Sequence, residues 1–181
     1  TPTPTDPAPP VPPEPQDGND LDALKRALAA ERKAHREAEA ARKAAATELD
    51  QLRQGIEEAH TRGKLFYVAS NILPHNAKVK TYLDDMAPVV ALKPDALIMA
   101  DPGLIDMIRD RFPEVPVHLS VQANTVNWAS VRFWGKMGIK RVILSRELSL
   151  DEVAEIRQQC PDMELEVFVH GALCIAYSGR C

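Results

Sequence analysis

"KLFYVASNILPHNAKVKTYLDDMAPVVALKPDALIMADPGLIDMIRDRFPEVPVHLSVQAN", residues 64–124, decides the fold. It alternates two textures. "KLFYVASN", "PDALIMAD" and "VPVHLSVQAN" are short apolar runs of strand type. Between them, "AKVKTYLDDMAPVVAL" has helical spacing until Pro88, where a helix is expected to be disturbed, and "PGLIDMIRDRF" opens with Pro102 in the first helical turn. Strand, helix, strand, helix, strand, each separated by a few residues, is the grammar of parallel βα units.

The alternation continues outward to the C-terminus. "NWASVRFWGKMG" is a helix and "IKRVILSREL" a strand. "LDEVAEIRQQC" is a helix capped by Ser149, with Glu152 completing a capping box, and "MELEVFVHG" is a fifth strand. The strand cores are apolar on both faces, as in a sheet covered by helices. A barrel and an open sheet both satisfy this pattern. Two features favour the barrel: no Gly-rich phosphate loop follows the first strand, and polar residues gather at the strands' C-terminal ends. Five strands cannot close an eight-stranded barrel, so the expectation is an α/β fold with an incomplete (β/α) barrel of TIM type and about five parallel strands.

Upstream of residue 63 the texture differs. Residues 1–20, "TPTPTDPAPPVPPEPQDGND", hold eight of the chain's 15 prolines and are expected to be a disordered or polyproline-like tract. Residues 21–62 are dense in Ala, Glu, Lys, Arg and Leu and predict one long charged helix. Its heptad stripe begins with Leu21, Leu24 and Leu28 and ends with Leu49, Leu52, Ile56 and Ala59. Its middle carries Glu31, His35 and Arg42, so any self-association through it would be weak. The three expected regions are therefore 1–20, 21–62 and 63–181.

A net charge of −4 and an isoelectric point near 5.7 argue against a broad basic nucleic-acid footprint, though not against a local patch. No apolar run of membrane-spanning length and no secretory leader are visible, so the expected location is the cytoplasm, with no membrane partner. Three cysteines do not make a secreted disulfide framework.

The candidate chemistry lies on the rim where the strands end. The first strand supplies Asn71 and, just beyond, His75; the second Asp101; the third Gln122 and Asn124; the fourth Arg146 and Glu147; the fifth His170. Amides, acids, histidines and one arginine on one rim suit a small anionic or polar ligand. Arg146 can fork onto a carboxylate, and His170 can move a proton near neutral pH. His170, Arg146, Glu147, Asp101 and Gln122 are the candidate catalytic set; Asn71, His75, Asn124 and Arg146 are the candidate substrate-binding set. The competing reading for Asp101 and Asn71 is that they cap loops and helices. No G-x-S-x-G elbow and no H-E-x-x-H helix is present, so a hydrolase has no visible nucleophile or metal. Cys174 and Cys181 follow the last strand with six residues between them. That spacing alone is a weak metal signal, half of a four-thiolate site.

The C-terminal run "ELEVFVHGALCIAYSGRC" closely resembles the signature of the collagenase-like peptidases of undefined catalytic type, through Glu166, Phe168, Gly171, Ala172, Leu173, Cys174, Gly179 and Cys181. The likeness extends back through "RVILSRELSLDEV", "PVHLSVQANTVNWASVRFW" and "PDALIMADPGLI" to about Leu52. It is nearest the branch that forms 5-hydroxyuridine at the tRNA wobble position. The resemblance implies tRNA as partner, prephenate or a derivative as co-substrate, and a [4Fe-4S] cluster with Cys174 and Cys181 as its first two ligands. Family members open with two further βα units and run on past the second cysteine. This chain is therefore expected to be a fragment or chimera that does not assemble the cluster alone and is inactive by itself. The alternatives left open are a peptidase and a non-enzymatic remnant with a helical interaction segment.

Overall fold

The computed structural model describes residues 17–171 and 177–179. The proline-rich tract up to Gln16, and both Cys174 and Cys181, lie outside the described residues. The chain divides into two units, one ending at Glu48 and one running from Leu49 to the C-terminus.

A helix, α1 (Asp17–Thr61), begins before residue 21 and supplies residues to both units. In the first unit Leu21, Leu24 and Leu28 are exposed, and the described ion pairs, Lys25 to Asp22 and Lys33 to Glu37, are surface pairs one turn apart. In the second unit the same helix is amphipathic in fact as well as pattern. Ile56 is buried, Leu49 and Leu52 are half-buried, and Gly55 lies against the Phe66 ring. The expected boundary at residue 62 marks the end of a helix, whereas the compact unit begins about two heptads earlier, where Leu49, Leu52 and Ile56 become the buried stripe.

The rest of the second unit is the predicted alternation: β1 (Tyr67–Ser70), α2 (Asn76–Ala91), β2 (Ala96–Met99), α3 (Pro102–Arg111), β3 (Val117–Leu119), α4 (Trp128–Lys136), β4 (Arg141–Ile143), α5 (Leu150–Gln159) and β5 (Glu164–Glu166). All five strands are parallel and their order in the sheet is the order in the chain, β1-β2-β3-β4-β5. A doubly wound sheet reverses its order at a switch point; this one does not. With every crossover of one hand, sequential order puts the helices on one side of the sheet, as in the arc of a barrel.

Residue parity along the strands agrees. Leu97, Met99, Val117, Leu119, Val142 and Leu144 share one core with Tyr82, Leu104, Ile105, Ile108, Val131 and Ile156 of the helices. Tyr67, His118, Arg141, Glu164 and Glu166 occupy the other parity. Arg141 donates to Glu164 at 2.8 Å and to the Tyr67 hydroxyl at 3.1 Å, and Glu166 lies 3.6 Å away. His118 packs edge-on against Tyr67, with centroids 4.8 Å apart. Pairings Ile98 to His118, His118 to Arg141 and Arg141 to Glu164 carry this face across the sheet.

Local signals set the helix starts. Asp101 accepts the Leu104 N–H at 2.9 Å with Pro102 in the first turn; Asn127 accepts the Ser130 N–H at 2.9 Å; Ser149 and Glu152 form the predicted capping box. Two expectations require correction. Pro88 does not disturb α2, which continues to Ala91. Met86 and Val90, on either side of the proline and one helical turn apart, are both buried. Their burial in one apolar stripe outweighs a proline penalty of about 3 kcal/mol. The third and fifth strands are also shorter than predicted. After Leu119 the chain enters a 3-10 turn, Val121–Ala123, capped by Ser120. After Glu166, whose carbonyl accepts the last ladder bond from Leu144 at 2.8 Å, Val167–Val169 leave the ladder.

Candidate functional site

Parallel strands in sequential order put the residues after each strand on one rim, and all the predicted polar residues lie there. They do not form one cluster. Arg146 and His170 line the same cleft, a space of about 590 Å³ walled by Ser145, Leu148, Leu150, Val153, Val167, Phe168, Val169 and Gly171. The Arg146 guanidinium lies 3.5 Å from the Phe168 ring centroid. A guanidinium held on an aromatic face keeps its N–H edge available to a carboxylate. Ser145 is buried, while Arg146, Phe168 and His170 are exposed. The cleft thus has an apolar wall, one cation on a platform and one imidazole, a pattern that favours an anionic ligand with an apolar body.

The β3 and β4 ends form a second group, beside the first in sequence and joined to it through Ser145. Asn124 adopts the left-handed conformation at φ 51° and accepts the Ser145 hydroxyl at 3.1 Å. Gln122 directs its backbone N–H to the Ser120 hydroxyl at 3.2 Å, and its side chain is exposed. Glu147 accepts the Ser178 N–H at 2.7 Å. That bond, with smaller contributions from the Ser178 and Ser145 hydroxyls, lowers the Glu147 pKa below its ordinary value, so the carboxylate stays ionised.

The remaining candidates occupy the β1–β2 part of the rim. Asp101 is engaged as the α3 cap. His75 is at the start of α2, exposed, and makes no side-chain cap bond. Asn71 is half-buried and its Oδ1 has no hydrogen-bond partner. None of these three lines the Arg146–His170 cleft. Sequence reasoning did not single out Phe168 as the arginine's platform, nor Ser178 and Gly179 as rim residues. The signal for Phe168 was the alternation Glu166, Phe168, His170 on one side of the chain. For Ser178 and Gly179 no periodic signal exists, because they lie beyond the last strand. Among the described residues no group of three or more His, Cys, Asp or Glu side chains is placed to hold a metal ion. Cys160 is buried at the end of α5 with its thiol 3.5 Å from the Trp128 carbonyl.

A sequentially wound parallel arc with an Arg- and His-bearing cleft at its strand ends defines a protein of incomplete (β/α)-barrel type. The chain belongs to peptidase family U32, whose model matches residues 35–181. It is 68% identical over 130 residues to tRNA hydroxylation protein P of Haemophilus influenzae, covering 72% of this chain and 28% of that protein. It is 67% identical over 132 residues to tRNA hydroxylation protein P of Escherichia coli, covering 73% and 29%. The chain therefore spans less than a third of the length of these curated relatives. Among solved structures, the U32 peptidase Mk0906 superposes with a TM-score of 0.52 at 19% identity, over 64% of this chain and 50% of that one, a likeness of fold. No described helix is long and apolar enough to cross a membrane.

Proposed function

We propose that this chain is the substrate-cleft portion of a tRNA-hydroxylating enzyme, and that the Arg146–His170 cleft receives the carboxylate of a small co-substrate, prephenate or a derivative. The observation that carries the reading is the convergence of Arg146, Phe168 and His170 on one strand-end cleft, in a chain about two-thirds identical to tRNA hydroxylation protein P. Arg146 fixes the carboxylate through two parallel N–H bonds. The apolar wall of Leu148, Val153 and Val167 accepts the ligand's ring, and His170 holds or moves a proton at its imidazole. The partner in this reading is tRNA in the cytoplasm. The Leu21, Leu24 and Leu28 stripe is its place for weak helix-mediated self-association.

The iron-sulfur chemistry implied by Cys174 and Cys181 belongs to the longer relatives. Two thiols do not complete a four-thiolate cluster, so no step here passes through one. Iron and acid-labile sulfide analysis of a full-length relative, with and without its counterparts of these two cysteines, tests that assignment. A peptidase reading is less well supported, because no nucleophile is paired with a base among the described residues.

The test of the cleft is calorimetric titration of the 181-residue chain with prephenate. Arg146→Ala is expected to weaken binding by about 10- to 100-fold, the worth of a charge-assisted hydrogen-bonded pair. Arg146→Lys is expected to recover part of it. Equal affinity in wild type and Arg146→Ala, or no binding by wild type, would remove the carboxylate assignment.

A further inference from the structure

The chain leaves the cleft at Gly171 and returns to the described rim at Tyr177, with five residues, Cys174 among them, in between. Where it returns, it is held by two unlike devices. The first is Glu147. Its carboxylate accepts the Ser178 backbone N–H at 2.7 Å. Ser178, at 4% exposure, is among the few buried polar residues of the unit. The second device is Gly179. It has φ +80°, and a Cβ there would lie 2.4 Å from the Gln122 carbonyl oxygen and 3.3 Å from the Asn124 Cβ. Only glycine allows both the conformation and the approach to the 3-10 turn.

We propose that Glu147 and Gly179 form a clasp that holds the chain at residues 177–179 on the β3–β4 rim, next to the Arg146–His170 cleft. Glu147 is then a positioning residue. One of its carboxylate oxygens, Oε1, is committed to the Ser178 N–H. Ser145, which bonds Asn124 and lines the cleft, ties the clasp to the cleft wall. The inference rests on the proposed function only for the identity of what the cleft binds; the clasp itself stands on geometry in the chain alone.

The experiment is hydrogen exchange on the intact chain, with a thermal melt as the folding control. In wild type the Ser178 amide is expected to be protected. Glu147→Ala is expected to raise its exchange at least 10-fold, with the core amides of β2 and β3 unchanged. Glu147→Gln, which keeps one carbonyl acceptor, is expected to recover part of the protection. Gly179→Ala is expected to release the segment by the separate route of collision with Gln122. A wild-type Ser178 amide that exchanges as freely as in Glu147→Ala overturns the clasp, as does a Ser178 exchange rate unaltered by Gly179→Ala. If protection behaves as expected but no carboxylate binds, the functional reading fails and the clasp stands.

Discussion

At the scale of single residues, the most consequential placement outside the cleft is His118. It is buried in β3, edge-on to Tyr67, with Nδ1 lacking a hydrogen-bond partner. Burial first, and the Arg141 charge second, lower its pKa from the ordinary 6.5. The sign of the consequence follows from proton counting. The unfolded chain binds a proton at this imidazole before the folded chain does, so stability falls as pH falls below about 6.5 and through the lowered folded value. Melting temperature is expected to drop between pH 7 and 5 and to drop less in His118→Gln; equal slopes in the two proteins would discount the effect. The sequence showed His118 only as a histidine inside a strand. Its neighbours Tyr67, Arg141 and Glu164 come from three other strands and are brought to it by register. A one-residue slip would put them on the helix side. The rim was more legible, because the end of an apolar run is visible in one dimension and parallel winding collects all such ends. Which rim residues share a cleft was not, since that depends on whether a neighbour supplies a donor, as Leu104 does for Asp101.

At the scale of elements, the second unit's connections are fixed by short polar ties as much as by apolar burial. Asp95, just before β2, accepts the Phe66 N–H at 2.7 Å and meets His60 Nε2, at the end of α1, at 2.9 Å. These bonds hold its carboxyl below the usual range, the Phe66 N–H first and His60 second. One side chain therefore joins the end of a helix, the entry to β1 and the entry to β2. Asp95→Ala strands the Phe66 N–H and is expected to cost about 1–3 kcal/mol in chemical denaturation. The contribution is present at neutral pH and is lost in acid, as pH falls past the ordinary carboxylate value and through the lowered one. A loss below about 0.3 kcal/mol would show that water replaces the tie. On α5, Ser149→Ala removes a capping-box partner and is expected to cost about 1 kcal/mol; an unchanged midpoint would show that water replaces the cap. The capping box was readable because all its atoms lie within four residues. The persistence of α2 through Pro88 was not, because the Met86 and Val90 stripe that overrides the proline is satisfied only in the assembled core.

At the scale of the whole molecule, the composition change and the physical division fall at different places. Charge and alanine content continue through residue 62, yet the core of the second unit already includes Ile56, and the division falls after Glu48. Residues 21–48 expose their leucines and rely on surface ion pairs of the kind worth only a few tenths of a kcal/mol. An isolated charged helix of that length is marginal in water and melts without cooperativity. The second unit has a contiguous apolar core reaching from Tyr82 to Met163, which predicts a cooperative transition of its own. A shortened chain beginning at Leu49 is therefore expected to melt within about 2 °C of the full chain, a shift of well under 1 kcal/mol for a domain of this size. Only the broad, early loss of helical ellipticity should disappear. A shortened chain beginning at Gly63, at the compositional boundary, removes Ile56 and its half-buried neighbours and is expected to lose about 2–5 kcal/mol, as large core truncations do. The pair of chains separates the two boundaries by calorimetry. Equal melting of the Leu49 and Gly63 chains would return the boundary to residue 62. Loss of cooperativity already at Leu49 would show that the charged helix is integral to the fold.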